Sequence, residues 1–384
     1  MTSRQVDTGH QPPDGAVDAA AGVPARGETS RRMPGSERRL VCSAPGRAGI
    51  IGNPTDMYGG AVLSCSVPMR ARVTITSAFE GRAQDPEGRA QGPPLLVLET
   101  GGQLCQIGGR KDLHPRGDRF DLARAVLGYL RLPPLACRVQ YESEIPLRSG
   151  MAGSTALVVA LLNALLAWQG ERPNLYRLAE RARYVELNNL KVVCGYQDAY
   201  MCTFGGLNYM DFGGKQFYRQ EEAELFATME PLAAHVSQLP FVLAYTGVQH
   251  ASSAVHKPLR ERWLEGEPAV VDAYKRITEV ARLGKKALIL ADWPMLGRLM
   301  NENHAIQRDL GGSGESNEEL VAAALNAGAL GAKLAGAGDG GTIIALWPWP
   351  DSSRLEEALL GAGASAIYRP AISPGVMIEE SEGR

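Results

Sequence analysis

Apolar positions along the chain change period several times, and each change marks a different element. From Arg39, the run RLVCSAPGRAGIIG reads as strand material with a Pro-Gly turn inside it. Residues 61–67 are continuously apolar but for two serine-like positions, and the alternation ARVTITSAF from Ala71 marks a further strand. Residues 154–168, STALVVALLNALLAW, have helical length and apolar side chains on nearly every side, the pattern of a helix buried between layers. Further helices are expected over 175–188, 267–290 and 317–327, with strands near 241–245 and 341–346. Strands and helices follow one another in mixed order, which predicts an α+β fold and not a regular βαβ array.

Composition narrows the class. Residues 1–37 are rich in Gly, Pro, Ala, Ser and Arg without periodic apolar positions, so a disordered tail is expected there. A length of 384 residues favours two packed domains, placed at 38–225 and 226–384. With 45% hydrophobic and 21% charged residues and a formal charge of −2, nothing points to nucleic acid or an anionic membrane as partner. The six cysteines form no C-x-x-C pair and have no histidines at zinc-site spacing, so reduced thiols are expected. No apolar run approaches the roughly 20 residues of a membrane span, and a cytoplasmic location follows as an expectation.

The chemistry concentrates where glycines gather. In IPLRSGMAGSTALVVALL, from Ile145, small residues bring the backbone into a buried helix, where converging N–H groups and the helix dipole suit nucleotide phosphates. Ser154, on the first turn, has a hydroxyl for a magnesium ion, and Arg148 adds positive charge. By itself the run also reads as an ordinary glycine turn capped by Ser154. No G-x-x-x-x-G-K-[ST] is present, and GAGDGG at Gly336–Gly341, which has the spacing G-x-G-x-x-G, is followed by strand-like residues and not by a helix, which argues against Walker-type and Rossmann enzymes. In CGYQDAYMCTFGG, Asp198 reads either as a turn-forming aspartate or as a carboxylate that accepts a hydroxyl proton.

PLRSGMAGSTA resembles the second signature of GHMP kinases. Ala44–Gly60, APGRAGIIGNPTDMYGG, resembles the first, and Lys333–Leu346, KLAGAGDGGTIIAL, the third, in the family's order. The resemblance implies an N-terminal domain of left-handed βαβ type, a C-terminal ferredoxin-like domain, and an active site between them. It implies ATP binding by Arg148, Ser149, Gly150, Met151, Ala152, Gly153, Ser154 and Thr155, with the departures at Met151 and Ala152 read as mild. It further implies Mg2+ on Ser154 and Glu186, Glu180 being a second glutamate on the same helix. The catalytic aspartate falls on Asp198, with Arg47 as the cation that holds it ionised. Substrate contacts are implied at Asn53, Asp56, Gly195, Gly336, Ala337 and Gly338. Asn53 stands where galactokinases carry glutamate, and Asp339 stands where the third loop usually has glycine.

The GNPTD run, Arg172–Asn174, the GYQD run and HASSAVHKPLRERWLEG from His250 are most similar to the glucuronokinase branch. That branch implies ATP-dependent phosphorylation of the anomeric hydroxyl of D-glucuronate, by a monomer or homodimer. The substrate carboxylate would call for a cation, with Arg47, Arg148, His256, Lys257, Arg260 and Arg262 as candidates. A heptose or galactose-like hexose as substrate, or a sugar and ATP sensor without catalysis, are the alternatives; retention of Ser154, Glu186 and Asp198 argues against the sensor.

Overall fold

Strand β1 (Arg39–Ile51) runs unbroken through Pro45 and Gly46, where the sequence suggested a turn. The backbone absorbs the Pro-Gly pair as a register shift against its neighbour β2 (Ala61–Ser77), so the feature is a bulge in a strand. The two strands expected over 61–67 and from Ala71 are in turn one strand, continuous through the exposed Pro68. Between β1 and β2 the chain makes a cis Asn53–Pro54 bond and a single 3-10 turn, Thr55–Tyr58. In this computed structural model the described residues are 38–77, 96–133, 135–146, 148–215, 225–236, 239–248, 252–336, 338 and 340–382; at 252–257 only the backbone is described. The expected tail at 1–37, Ala337, Asp339 and the side chains of His256 and Lys257 lie outside them.

The chain continues through β3 (Leu96–Thr100), β4 (Gln103–Ile107), α1 (Asp121–Leu130) and β5 (Cys137–Ser143) into α2 (Gly153–Trp168). Then come α3 (Leu175–Tyr184), α4 (Gln197–Phe204), β6 (Leu207–Asp211) and β7 (Thr228–Pro231). The second half holds β8 (Phe241–Tyr245), four helices α5 (Ser252–Leu264), α6 (Pro268–Ile289), α7 (Trp293–Asp309) and α8 (Glu315–Ala327), then β9 (Gly331–Leu334) and β10 (Thr342–Leu346). It closes with α9 (Ser353–Gly361), β11 (Ala366–Tyr368) and β12 (Met377–Glu382).

Two sheets organise these elements. The larger has the order β12-β1-β2-β5-β3-β4, with β6 paired onto β2 and β7 onto β6, and among the described strands only the β3–β5 pair is parallel. The smaller is antiparallel in the order β11-β8-β10-β9. In chain order its strands and crossings run βαββαβ, the ferredoxin-like arrangement. The whole is the mixed α+β, two-domain architecture expected from the sequence.

Helix α2 lies at the centre of the main core. Val158, Val159, Ala160 and Leu161, which project at successive steps of about 100° around it, are all fully buried, in one core with Ile50, Leu63 and Val73 of the long strands and Ala182 of α3. An all-round apolar helix can be stable only inside two layers, which explains the absence of a polar face in its sequence. Because α2 is clamped, the residues at its N-terminus are clamped with it.

Candidate active site

The loop entering α2 is held by backbone strain and by glycine contacts. Arg148, Gly150 and Ala152 adopt φ of 54°, 72° and 62°. This left-handed region suits Gly150 but costs a residue with a Cβ roughly 1–2 kcal/mol, so the alanine at 152 is a strained departure and not a mild one. Ala152 is also the residue that precedes α2, and no side chain caps the helix there. Ser154 is therefore not a cap: it sits inside the first turn, exposed, with its hydroxyl turned to Glu186. Like those of any helix start, the first N–H groups of α2 have no acceptor within the helix. Ser149 is 1% exposed, and its Oγ has no hydrogen-bond partner among the described residues.

Glu186 does not lie on α3. The helix expected to run to 188 stops at Tyr184, and Val185–Asn189 form a π turn, a widening that recurs at functional positions. The turn brings the Glu186 carboxylate to Thr155, whose Oγ1 donates at 2.9 and 3.0 Å, and within 3.2 Å of Ser154 Oγ. Burial, reinforced by the charge of Asp198 and opposed by these hydroxyls, pushes its carboxyl up to about 7. A buried carboxylate beside a serine hydroxyl offers hard oxygen donors that fit Mg2+ alongside phosphate oxygens. Glu180 is excluded from that role: Lys215 Nζ lies 2.6 Å from its Oε1, and Tyr200 donates to the same atom. Among the described residues no group of three His, Cys, Asp or Glu could hold a metal without further donors.

Arg47 ties the base to the loop. From the bulged segment of β1 its Nη2 lies 2.6 Å and its Nε 2.8 Å from Asp198 Oδ1, while its Nη1 donates to the carbonyl of Gly150 and, at 3.3 Å, to that of Ala335. One guanidinium thus touches the carboxylate and both glycine loops. Gly46 allows the approach, since a Cβ there would meet the Met151 carbonyl oxygen at 2.6 Å. Asp198 is on the first turn of α4 and is 32% exposed, a helix position and not the turn that its glycine neighbours suggested.

Asp56 performs a structural task that the sequence did not disclose. Its Oδ2 accepts from the backbone N–H of Tyr196 at 2.7 Å and of Gln197 at 2.9 Å, capping α4 from far upstream. Burial, together with the nearby negative charge of Asp198, pushes Asp56 up to about 6 against those bonds. Asn53 is likewise occupied: its Nδ2 donates to Gly336 O at 3.1 Å, and its Oδ1 accepts from Lys333 Nζ at 2.7 Å. Lys333 is 1% exposed, and burial with the charge of Arg47 lowers it to about 7. No local pattern marks Lys333, which the sequence reading offered only as the start of a signature.

The third loop seats on the second, backbone against backbone. Thr342 Oγ1 donates to Ser149 O at 2.7 Å, and a Cβ on Gly336 would fall 2.7 Å from Gly150 O. Gly338 is held at φ 94° against Gly312. Of the cations considered for a substrate carboxylate, Arg47 is committed to Asp198, and Arg262 pairs with Glu267 at 2.7 and 2.8 Å. Arg148 is exposed.

A glycine loop at a helix start, a serine hydroxyl bonded to a buried glutamate and an arginine-held carboxylate make the residue set of a phosphotransferase site. The family profile described as GHMP kinases N terminal domain matches residues 121–206, and that described as GHMP kinases C terminal matches 285–364. The Galactokinase galactose-binding signature matches 31–77. "Probable glucuronokinase 2" of Arabidopsis thaliana is 31% identical over 334 residues, covering 79% of this chain and 82% of that protein. "Mevalonate kinase" of Thermococcus sibiricus is 27% identical, over 89% and 99%. Among solved structures, Lactococcus lactis galactokinase complexed with galactose superimposes with a TM-score of 0.70 at 18% identity, covering 88% of this chain and 95% of that one. The chain belongs to the GHMP kinases.

Proposed function

We propose that this kinase transfers the γ-phosphoryl group of ATP to the anomeric hydroxyl of a sugar acid, D-glucuronate, giving the 1-phosphate and ADP. The observation that carries the reading is the Arg47 bridge: one side chain fixes Asp198 and the carbonyl of Gly150, and so sets the distance between proton acceptor and phosphate cradle. The likeness to a plant glucuronokinase supports the choice of sugar acid.

In this reading the phosphates lie over the N–H groups of 150–154, and the substrate hydroxyl lies at the accessible face of Asp198. As the hydroxyl oxygen bonds to phosphorus and the bond to the ADP oxygen breaks, Asp198 takes the hydroxyl proton. Arg47, whose guanidinium nitrogens lie 2.6 and 2.8 Å from Asp198 Oδ1, orients that carboxylate toward the hydroxyl. Ser154 and Glu186 would hold Mg2+, which when bound neutralises phosphate charge. Asp56 acts through α4 by fixing the turn that presents Asp198.

The test is ADP release from Mg-ATP with glucuronate, galacturonate, galactose, glucose, mannose, a heptose and mevalonate, with Asp198→Ala as control. Turnover on glucuronate above the others is the expected result. A preference for a neutral hexose, which the galactose-binding signature over 31–77 favours, would replace glucuronate; preference for mevalonate would remove the sugar. Nucleotide binding without turnover on any compound would leave a sensor.

A further inference from the structure

The third glycine loop presses on the phosphate loop with one flank, and its other flank is held by a side chain outside the site described so far. Asn317, on the first turn of α8, is fully buried, and its Oδ1 accepts from the backbone N–H of Gly340 at 2.6 Å. An asparagine near a helix start ordinarily bonds its own local backbone. Here the side-chain oxygen is spent on a loop 23 positions downstream.

The loop needs an outside hold. Gly338, Gly340 and Gly341 adopt φ of 94°, 100° and 78°, left-handed backbone that belongs to no helix or strand. From the end of β8, Val248 O accepts from Gly341 N–H at 3.2 Å, and Thr246 N–H donates to Gly341 O at 2.9 Å. With Asn317 on Gly340, the loop is gripped from β8 and from α8 together. The grip carries on toward the reacting groups. A Cβ on Gly341 would fall 3.0 Å from Ser149 O, the carbonyl that Thr342 Oγ1 bonds at 2.7 Å. The next carbonyl, Gly150 O, accepts from Arg47, which holds Asp198.

Asn317 is itself anchored. Glu318, beside it, lies 3.1 Å from His304 Nε2 of α7. One residue earlier on α7, Asn303 Oδ1 accepts from Gly52 N–H at 2.8 Å, and its Nδ2 donates to Asn53 O at 3.4 Å. Asn53 in turn donates to Gly336 O at 3.1 Å. The corner between α7 and α8 thus holds the Gly52–Asn53 turn with one asparagine and the third loop with another.

We infer that Asn317 is a positioning residue for phosphoryl transfer: by fixing Gly340 it seats the third glycine loop on the carbonyls of Ser149 and Gly150. This rests on the kinase reading above and not on the choice of acceptor. With the bond broken, the Gly340 N–H has to find another acceptor, and the loop moves to reach it. Nucleotide binding changes less than the rate, because the start of α2 stays clamped in the core while transfer depends on fine alignment between the two loops.

The experiment compares Asn317→Ala, Asn317→Ser and Asn317→Asp in the full chain. Alanine and serine cannot reach the Gly340 N–H, whereas aspartate keeps an accepting oxygen and its charge suits the first turn of a helix. Initial rates are taken with Mg-ATP and the acceptor of the panel above that gives the highest turnover. Hydrogen–deuterium exchange is followed in peptides spanning 336–346, and thermal melting checks folding. In the alanine and serine variants kcat should fall by about tenfold or more, with the KM for ATP changed by less than about threefold and exchange at 340–342 accelerated. The aspartate variant should keep kcat within about threefold of the parent and exchange near the parent rate. If the alanine variant fails to fold, the serine variant, which leaves a smaller hole, carries the comparison. A folded alanine or serine variant with parental kcat would overturn the role, and so would an equal loss in the aspartate variant, which would mark packing and not the bond. A parent chain that turns over none of the panel would overturn the kinase reading and this role with it.

Discussion

A Cβ on Gly195 would fall 1.9 Å from Oδ2 of Asp56. The two residues are far apart in the chain, and the missing side chain of one is what lets the carboxylate of the other reach the first N–H groups of α4. Gly195→Ala is therefore expected to push Asp56 off the helix start and tilt Asp198. Activity should fall by about tenfold or more while nucleotide affinity holds, measured by initial rates and by nucleotide titration. Wild-type kcat in that variant would show that the contact does not position the aspartate.

Asp198→Ala removes the proposed proton acceptor and leaves the buried Arg47 with only its bonds to the carbonyls of Gly150 and Ala335. A loss of roughly 10²–10⁴ in kcat is expected, with little change in the KM for ATP.

The acid limb of the pH profile should belong to Glu186. Its carboxyl, raised by burial to about 7, takes up a proton as the pH falls through that value and ceases to be a good cation ligand. Apparent Mg2+ affinity is thus expected to weaken below about pH 7, and Glu186→Gln to weaken it at every pH. Stability runs the other way. A carboxyl raised in the folded state binds more protons than in the unfolded one between 4.5 and about 7, so the nucleotide-free protein should lose stability as pH rises across that window. Asp56, raised from 3.8 to about 6, adds the same slope over its own window. Melting temperatures with and without Mg-ATP separate the two effects.

Ala152→Gly relieves the left-handed backbone at φ 62° and should raise stability by about 1 kcal/mol with activity retained. A lower melting temperature in this variant would mean that the strain is offset by contacts of the Ala152 methyl group. Leu161→Ala, in the fully buried middle of α2, should cost about 2–5 kcal/mol, read by denaturant unfolding.

What could be read without coordinates was whatever is encoded locally. The unbroken apolar run of α2 admits only a buried helix, and β8 falls at its expected bounds because Phe241–Tyr245 are all apolar and all buried. The glycine loops announced themselves because close backbone approach admits no other residue. What escaped depends on partners distant in sequence. Pro45–Gly46 looks like a turn until the phosphate loop is seen pressed against it. Helix α4 has no cap of its own because Asp56 supplies one. The stop of α3 at Tyr184 is set where Glu186 meets Ser154 and Thr155, and Asn53 is spent on Lys333 and Gly336. Helix α7, with the polar NENHAIQRD in its second half, hides its inward face because Asn303, His304 and Gln307 are buried polar residues.

The pairing of β12 with β1 bears on how the molecule assembles. Ser43 donates to Glu379 at 2.6 Å across 336 positions of sequence, and Arg72 holds the same carboxylate at 3.0 Å. A contact of such separation closes late in folding, because the intervening chain must be gathered first. Until β12 docks, the strand that carries Arg47 presents an open hydrogen-bonding edge. Chains lacking 377–382 are therefore expected to fail by edge-to-edge aggregation during refolding, a failure that would show as lost soluble yield and not as a slower enzyme.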